Sequence, residues 1–152
     1  MEEHNIVVDY AHTPDGLEKV LTTAKGLSDK PLVVIFGCGG NRDKLKRPIM
    51  GGIATKYANS VILTSDNPRY EDPYDIIADI VEGITKNCRV IENRKEAIEY
   101  ALSHFVNGET IVIAGKGAER YQEIKGVKYT YNDFDVVYDY YNEKYNSETE
   151  NE

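Results

Sequence analysis

The sequence contains no tryptophan and only two cysteines in 152 residues. Cys38 and Cys88 form no metal-ligand spacing, so a reduced, cytoplasmic thiol state is the default reading. No apolar run approaches the roughly 20 residues that span a bilayer. The opening MEEHNIVVDYAHTPD is acidic, without an apolar core of signal-peptide length, and no membrane partner is expected. Positive charge is also scarce. The 18 Lys and Arg stand against 26 Asp and Glu, for a formal net charge of -8. That balance argues against a nucleic-acid partner, which usually meets a basic face. Two phosphate-binding signatures are missing as well. GxxxxGK[ST] occurs nowhere, so the chain carries no Walker-type ATP site, and no GxGxxG follows the first strand, which argues against a dinucleotide-binding Rossmann enzyme.

Against this background the stretch FGCGGNRDKLKRPIM, Phe36 to Met50, stands out. The apolar run LVVIF ends at Gly37, and Gly39 and Gly40 follow; then come Arg42, Lys44, Lys46 and Arg47. Glycines after a strand allow a sharp turn and close approach to a ligand. Cations suit a carboxylate or phosphate and are disfavoured at a helix N-terminus unless an anion is near. The pattern reads as an anion site at the end of a strand. The plainer alternatives are a tight glycine turn and a solvated helix start. Cys38 has no histidine or carboxylate pattern around it and reads as a small buried residue.

Hydrophobic periodicity alternates along the chain. Asn5 to Ala11, Leu32 to Phe36, Ser60 to Thr64, Arg89 to Ile91 and Thr110 to Ala114 read as strands, with continuous apolar runs suited to burial on both faces. Between them lie four helices. One starts at Thr13-Pro14, an N-cap and N1 pair, and ends near Gly26. One runs from about Arg47 to Ala58, one starts at Pro73, and one runs from Arg94 to Phe105. The order predicts an α/β fold with a doubly wound, mostly parallel, Rossmann-like sheet and helices on both faces. Val127 to Tyr131 reads as one arm of a hairpin or an antiparallel edge strand. Asn132 or Asp133 could cap a last helix. Residues 1–145 are expected to form one domain and 146–152 a disordered acidic tail.

In open sheets of this kind ligands bind beyond the carboxyl ends of the strands. Four such ends carry unusual residues: DYAHTPD with Asp9 and His12, the glycine loop with Arg42, SDNPR with Asn67 and Arg69, and GKGAE with Gly115, Lys116 and Glu119. Singly, SDNPR could be a turn, His12 an exposed loop histidine and Lys116 a surface charge; together they predict one functional rim. His4 and His104 lie off it.

These four motifs, in this order, resemble the C-terminal domain of the Mur ligases. DYAH is shared with the wider family, including folylpolyglutamate and cyanophycin synthetases. GGNRDKLKRPIM and DNPR resemble the branch that adds meso-diaminopimelate. The resemblance implies an ATP- and Mg2+-dependent ligase of peptidoglycan synthesis, acting on UDP-N-acetylmuramoyl-L-alanyl-D-glutamate through an acyl phosphate. Arg42 matches a residue binding a carboxylate of the amino acid, and Asn67 and Arg69 match residues holding its distal end. Gly115 and Glu119 match acceptors for its distal ammonium. Asp9 and His12, with Lys116, are expected to face the nucleotide. Ala118 stands where the family usually has histidine, a departure from the pattern in the loop expected to meet the nucleotide. The UDP-binding and ATPase domains are missing, so no catalytic residue, metal ligand or bound cofactor is expected in this domain alone, nor turnover. A stand-alone amino-acid-binding protein and a glutamate-adding ligase domain are the alternatives.

Overall fold

The computed structural model describes residues 5–105 and 108–150. Among them, five parallel strands form one sheet in the order β1-β5-β2-β3-β4. These are β1 (Asn5–Asp9), β2 (Leu32–Phe36), β3 (Ser60–Leu63), β4 (Arg89–Val90) and β5 (Thr110–Ala114). The helices are α1 (Pro14–Leu27), α2 (Lys46–Tyr57), α3 (Pro73–Val81), α4 (Arg94–His104) and α5 (Asp133–Glu150). β6 (Tyr121–Ile124) and β7 (Val127–Thr130) pair antiparallel in a separate two-stranded sheet.

Alternation along β2 divides the core. Leu32, Val34 and Phe36 pack with Leu17 and Leu21 of α1, Met50 of α2 and Ile76 of α3. Val33 and Ile35 pack with Ile98 and Leu102 of α4 and Val136 of α5. Thus α1, α2 and α3 cover one face, and α4 and α5 the other. The crossovers through α1, α2 and α3 step one way across the sheet, and α4 steps back from β4 to β5. Reversing direction while keeping one crossover handedness requires changing face, so the doubly wound arrangement follows from topology. β5 enters between β1 and β2, with Val112 beside both Val7 and Val34.

Several boundaries shift for local reasons. β1 ends at Asp9 rather than Ala11, because the Asp9 carboxylate accepts the Ala11 N–H at 2.9 Å and turns the chain. Thr13 caps α1 as expected, its hydroxyl accepting the Gly16 N–H, but the helix continues past Gly26 to Leu27. The polar segment YQEI, which shows no strand signal, becomes β6 by pairing with β7. The Asn132 side chain accepts the Asp135 N–H at 3.1 Å at the start of α5. That helix continues to Glu150, so positions 146–150, expected in the tail, are helical. Residues 151–152 and His4 lie outside the described residues.

Two buried arginines tie the rim to the sheet. Arg94, at the start of α4, donates to Asp133 at 2.9 and 2.8 Å and to the Ser65 and Ala114 carbonyls, both at 3.2 Å. It joins α4, α5 and the ends of β3 and β5. Burial alone would raise the Asp133 carboxyl, but Arg94 and the Tyr131 hydroxyl outweigh burial and hold it below the ordinary range. Arg47, at the start of α2, is equally buried. It donates to Glu71 at 2.9 and 3.1 Å, to Asp79 at 2.9 Å and to the Gly39 carbonyl at 2.9 Å. The Arg47 hydrogen bonds bring the Glu71 carboxyl down to about 2. Glu71 is thus an anion beside the cation-rich start of α2, and Arg47 braces the loop instead of facing the rim.

Removing one partner of a buried pair leaves an uncompensated charge, so Asp133→Ala should cost about 3–5 kcal/mol of stability, read as a lower urea midpoint. A carboxylate whose folded pKa is depressed contributes stability above its unfolded pKa of about 4 and loses it as pH falls through the folded value. For Glu71 that window runs from about 4.5 down to about 2. Stability measured by urea unfolding should fall across it, and Glu71→Gln should lower stability at neutral pH while flattening the fall.

Candidate functional site

The loops following β1, β2, β3 and β5 meet around one cavity of about 320 Å³. Tyr10, His12 and Thr13 line it after β1; Gly39, Arg42 and Lys46 after β2; Asp66, Asn67 and Arg69 after β3; Gly115 and Glu119 after β5. Chains leaving β1 and β2 turn to the α1 and α2 face, while the chain leaving β5 goes on to the α5 face. The cavity therefore opens beside β5, where the winding changes direction and strand-end loops separate.

Close backbone approach locks the glycine loop to the DNPR loop. The Gly40 N–H donates to the Asn67 carbonyl at 2.7 Å, and a methyl group at Gly40 would lie 1.8 Å from the Pro68 carbonyl oxygen. Gly115 adopts φ 122, and a side chain there would meet Asp66 Oδ2 at 2.6 Å. At both positions glycine is required, and a simple turn is not the whole explanation.

Arg69 sits in the left-handed region at φ 52, a conformation that persists in a non-glycine residue only when surrounding contacts impose it. Here its N–H donates to the Glu123 carbonyl at 3.0 Å and its carbonyl accepts the Lys125 N–H at 2.7 Å. β6 and its turn thus set the backbone of Arg69. The guanidinium is held by Glu123 Oε1 at 3.3 Å through Nε and by the Gly40 carbonyl at 3.0 Å through Nη1. Nη2 has no hydrogen-bond partner among the described residues. Arg42 is exposed, and its Nη1 donates to the adjacent Asn41 carbonyl at 3.1 Å. Two arginines of incomplete coordination therefore line one cavity, chemistry suited to carboxylates.

Asn67 has a forced orientation. Its Oδ1 accepts from Lys116 Nζ at 2.7 Å and from the Glu123 N–H at 2.9 Å, both obligate donors. Its Nδ2 donates to Glu119 Oε1 at 2.9 Å. Burial would raise the Glu119 carboxyl, but the Asn67 amide and the Lys116 ammonium hold it below the ordinary range. It is an anion at the cavity wall.

The expected nucleotide-facing residues divide. Asp9 does not line the cavity above; it borders a neighbouring groove of about 520 Å³ between β1 and α1, and His12 lines both. The His12 Nδ1–H donates to the Tyr10 carbonyl at 2.8 Å; a carbonyl can only accept, which settles the tautomer. Lys46 Nζ donates to the His12 carbonyl at 3.1 Å, tying the β1 and β2 loops across the cavity. Lys116 is corrected by the structure: its side chain is fully buried and turned away from solvent, where oxygens of Asn67, Glu119 and Tyr121 surround it. An ammonium with three donors finds three acceptors inward, so it has none left to offer a phosphate outside. Cys38 is buried as expected, and burial pushes its thiol up to about 12, leaving it inert as a nucleophile. Among the described residues, no group of three or more His, Cys, Asp or Glu side chains is placed to hold a metal ion.

Glu123 escaped the sequence reading. It lies on the unrecognised strand β6, and no motif marks it; only the fold brings it against Arg69.

Comparison with known proteins shows the family and the fold. The family described as "Mur ligase, glutamate ligase domain" matches residues 2–117. The chain is 51% identical over 138 residues to a protein of Aquifex aeolicus (strain VF5) named UDP-N-acetylmuramoyl-L-alanyl-D-glutamate--2,6-diaminopimelate ligase, a match covering 90% of this chain and 29% of that protein. The identically named protein of Clostridium perfringens (strain 13 / Type A) is 50% identical over 137 residues, covering 90% and 28%. A solved structure of a ligase of that name superposes with a TM-score of 0.89 at 45% identity, over 95% of this chain and 31% of that one. The folylpolyglutamate synthase of Mycobacterium tuberculosis, at 23% identity and a TM-score of 0.54 over 72% of this chain, shares the fold alone. The chain spans less than a third of the length of the curated relatives it matches. Five parallel strands, the interlocked rim and these matches together identify the chain as a member of the Mur ligase family, in its glutamate ligase domain.

Proposed function

We propose that this domain receives meso-diaminopimelate for an ATP-dependent ligase that joins it to UDP-N-acetylmuramoyl-L-alanyl-D-glutamate, a cytoplasmic step in peptidoglycan synthesis. The observation that carries the reading is the convergence of Arg42, Asn67, Arg69, Gly115 and Glu119, from three separate loops, on one cavity. The chemistry matches a molecule zwitterionic at each end. Arg42 offers donors for one carboxylate. Arg69, through Nη2, which has no hydrogen-bond partner among the described residues, offers donors for the other. The Gly115 carbonyl and the Glu119 carboxylate offer acceptors for the distal ammonium. Lysine would leave Arg69 without a carboxylate, and glutamate would leave Glu119 without an ammonium.

In this reaction the γ-phosphoryl group of ATP passes to the substrate carboxylate, giving an acyl phosphate and ADP. The neutral amine of the incoming amino acid attacks the acyl carbon, the acyl C–O bond breaks with its electrons leaving on phosphate, and the nitrogen gives up one proton as the amide forms. The part of the domain is to hold that amine in line, an entropic contribution. Asp9 and His12, at the adjoining groove, are assigned to the nucleotide side. Magnesium and the phosphate loop are assigned to the other domains of the ligase, and the 152-residue chain alone is expected to show no turnover.

Titrating the chain with meso-diaminopimelate and L-lysine, followed by amide NMR shifts, tests the reading; preference for lysine would overturn it. In a ligase carrying this domain in place of the matching part of the Aquifex aeolicus relative, Arg69→Ala should weaken kcat/KM for meso-diaminopimelate by roughly 10- to 100-fold, as loss of a charged hydrogen bond worth about 1.5–3 kcal/mol implies. The KM for ATP should change far less. Equal loss toward both substrates would count against the role given to Arg69.

A further inference from the structure

We propose that Lys116 is a positioning residue for the distal ammonium of the amino-acid substrate, acting through Asn67 and Glu119 without touching either substrate or nucleotide. The inference rests on the reading of this cavity as an amino-acid site.

Lysine is almost never fully buried unless its charge is paired. Lys116 is buried completely, and its three N–H donors are matched by Asn67 Oδ1 at 2.7 Å, Glu119 Oε1 at 2.9 Å and the Tyr121 carbonyl at 3.0 Å. Asp66 Oδ1 lies 3.4 Å away. Two consequences follow for the cavity. First, an obligate donor behind Asn67 forces its Oδ1 inward and its Nδ2 toward Glu119. Second, both hydrogen bonds to the Glu119 carboxylate fall on Oε1. Oε2 takes none among the described residues, and Glu119 lines the cavity. The network thus holds the carboxylate by one oxygen and presents the other.

The charges point the same way. Asp66 and Glu119 carry two negative charges against the one positive charge of Lys116, while Arg69 is balanced by Glu123. The Lys116 cluster is therefore one cation short, and a ligand ammonium at Oε2 completes it. Without Lys116, the neighbouring Asp66 and Glu119 carboxylates would repel, and the Glu123 N–H would be the one remaining donor of the pair that orients Asn67 Oδ1.

The test compares meso-diaminopimelate with 2-aminopimelate, which keeps both carboxylates but lacks the distal amine. Binding to the 152-residue chain is followed by NMR, together with the pH titration of the Glu119 carboxyl carbon. The unaltered chain should bind meso-diaminopimelate more tightly. In Lys116→Met, the Glu119 titration should move upward and the preference for meso-diaminopimelate should fall about tenfold or more, with 2-aminopimelate affinity nearly unchanged. A folded Lys116→Met protein that keeps the preference overturns the proposal. So does one that loses both ligands equally, since that is the mark of a merely structural lysine. An unaltered chain with no preference for meso-diaminopimelate overturns the amino-acid reading itself, and this inference with it. If Lys116→Met fails to fold, the Lys116 ammonium resonance of the unaltered chain decides: it should shift with meso-diaminopimelate and not with 2-aminopimelate, and an absent or identical shift overturns the proposal.

Discussion

The insertion of β5 between β1 and β2 is the constraint from which the rest of the molecule follows. A parallel strand there needs a crossover that returns across the sheet from β4. One-handed crossovers then require α4 to lie on the face opposite α1, α2 and α3. The same insertion brings the GKGAE loop between DYAH and the glycine loop, and sends the chain beyond it to the opposite face. Ligand-sized space at the rim is thus a by-product of how the sheet is wound.

Winding alone would leave the loops loose, and buried charge is what makes them rigid. Arg47 ties the glycine loop to Glu71 and Asp79. Arg94 ties the ends of β3 and β5 to Asp133. Lys116 ties the DNPR and GKGAE loops together. Each cation is fully buried and meets several oxygens, as the cost of desolvating it requires. The diamino-acid site proposed above would gain from such bracing, because its own side chains would then lose little freedom on binding. Arg42, by contrast, is exposed, and Arg69 keeps Nη2 without a hydrogen-bond partner among the described residues.

Much of this was legible in the chain itself. Continuous apolar runs such as LVVIF and TIVIA marked strands buried on both faces, and Thr13-Pro14 and Pro73 marked helix starts. The four polar strand ends predicted a shared rim, and six of the residues singled out there do line one cavity. The charged side chains were harder to read. Arg47 and Arg42 belong to one cationic cluster in sequence, yet one is buried and one exposed, because only Arg47 lies on the side of α2 facing α3 and the Glu71 loop. Lys116, flanked by glycines, could equally have pointed either way. The strand YQEI has no apolar alternation, and its existence depends on pairing with β7.

The sequence by itself determined the order of elements, the apolar faces that assemble them and the motifs that end up at the strand tips, because these depend on spacing and residue type along the chain. Tertiary structure alone decided which cations brace and which remain available. It also set the left-handed backbone of Arg69 through a hairpin that begins beyond it in the chain. Those outcomes depend on partners distant in sequence, such as Asp133 for Arg94 and Glu123 for Arg69, and a charge acquires its role from whichever oxygens the fold brings within reach.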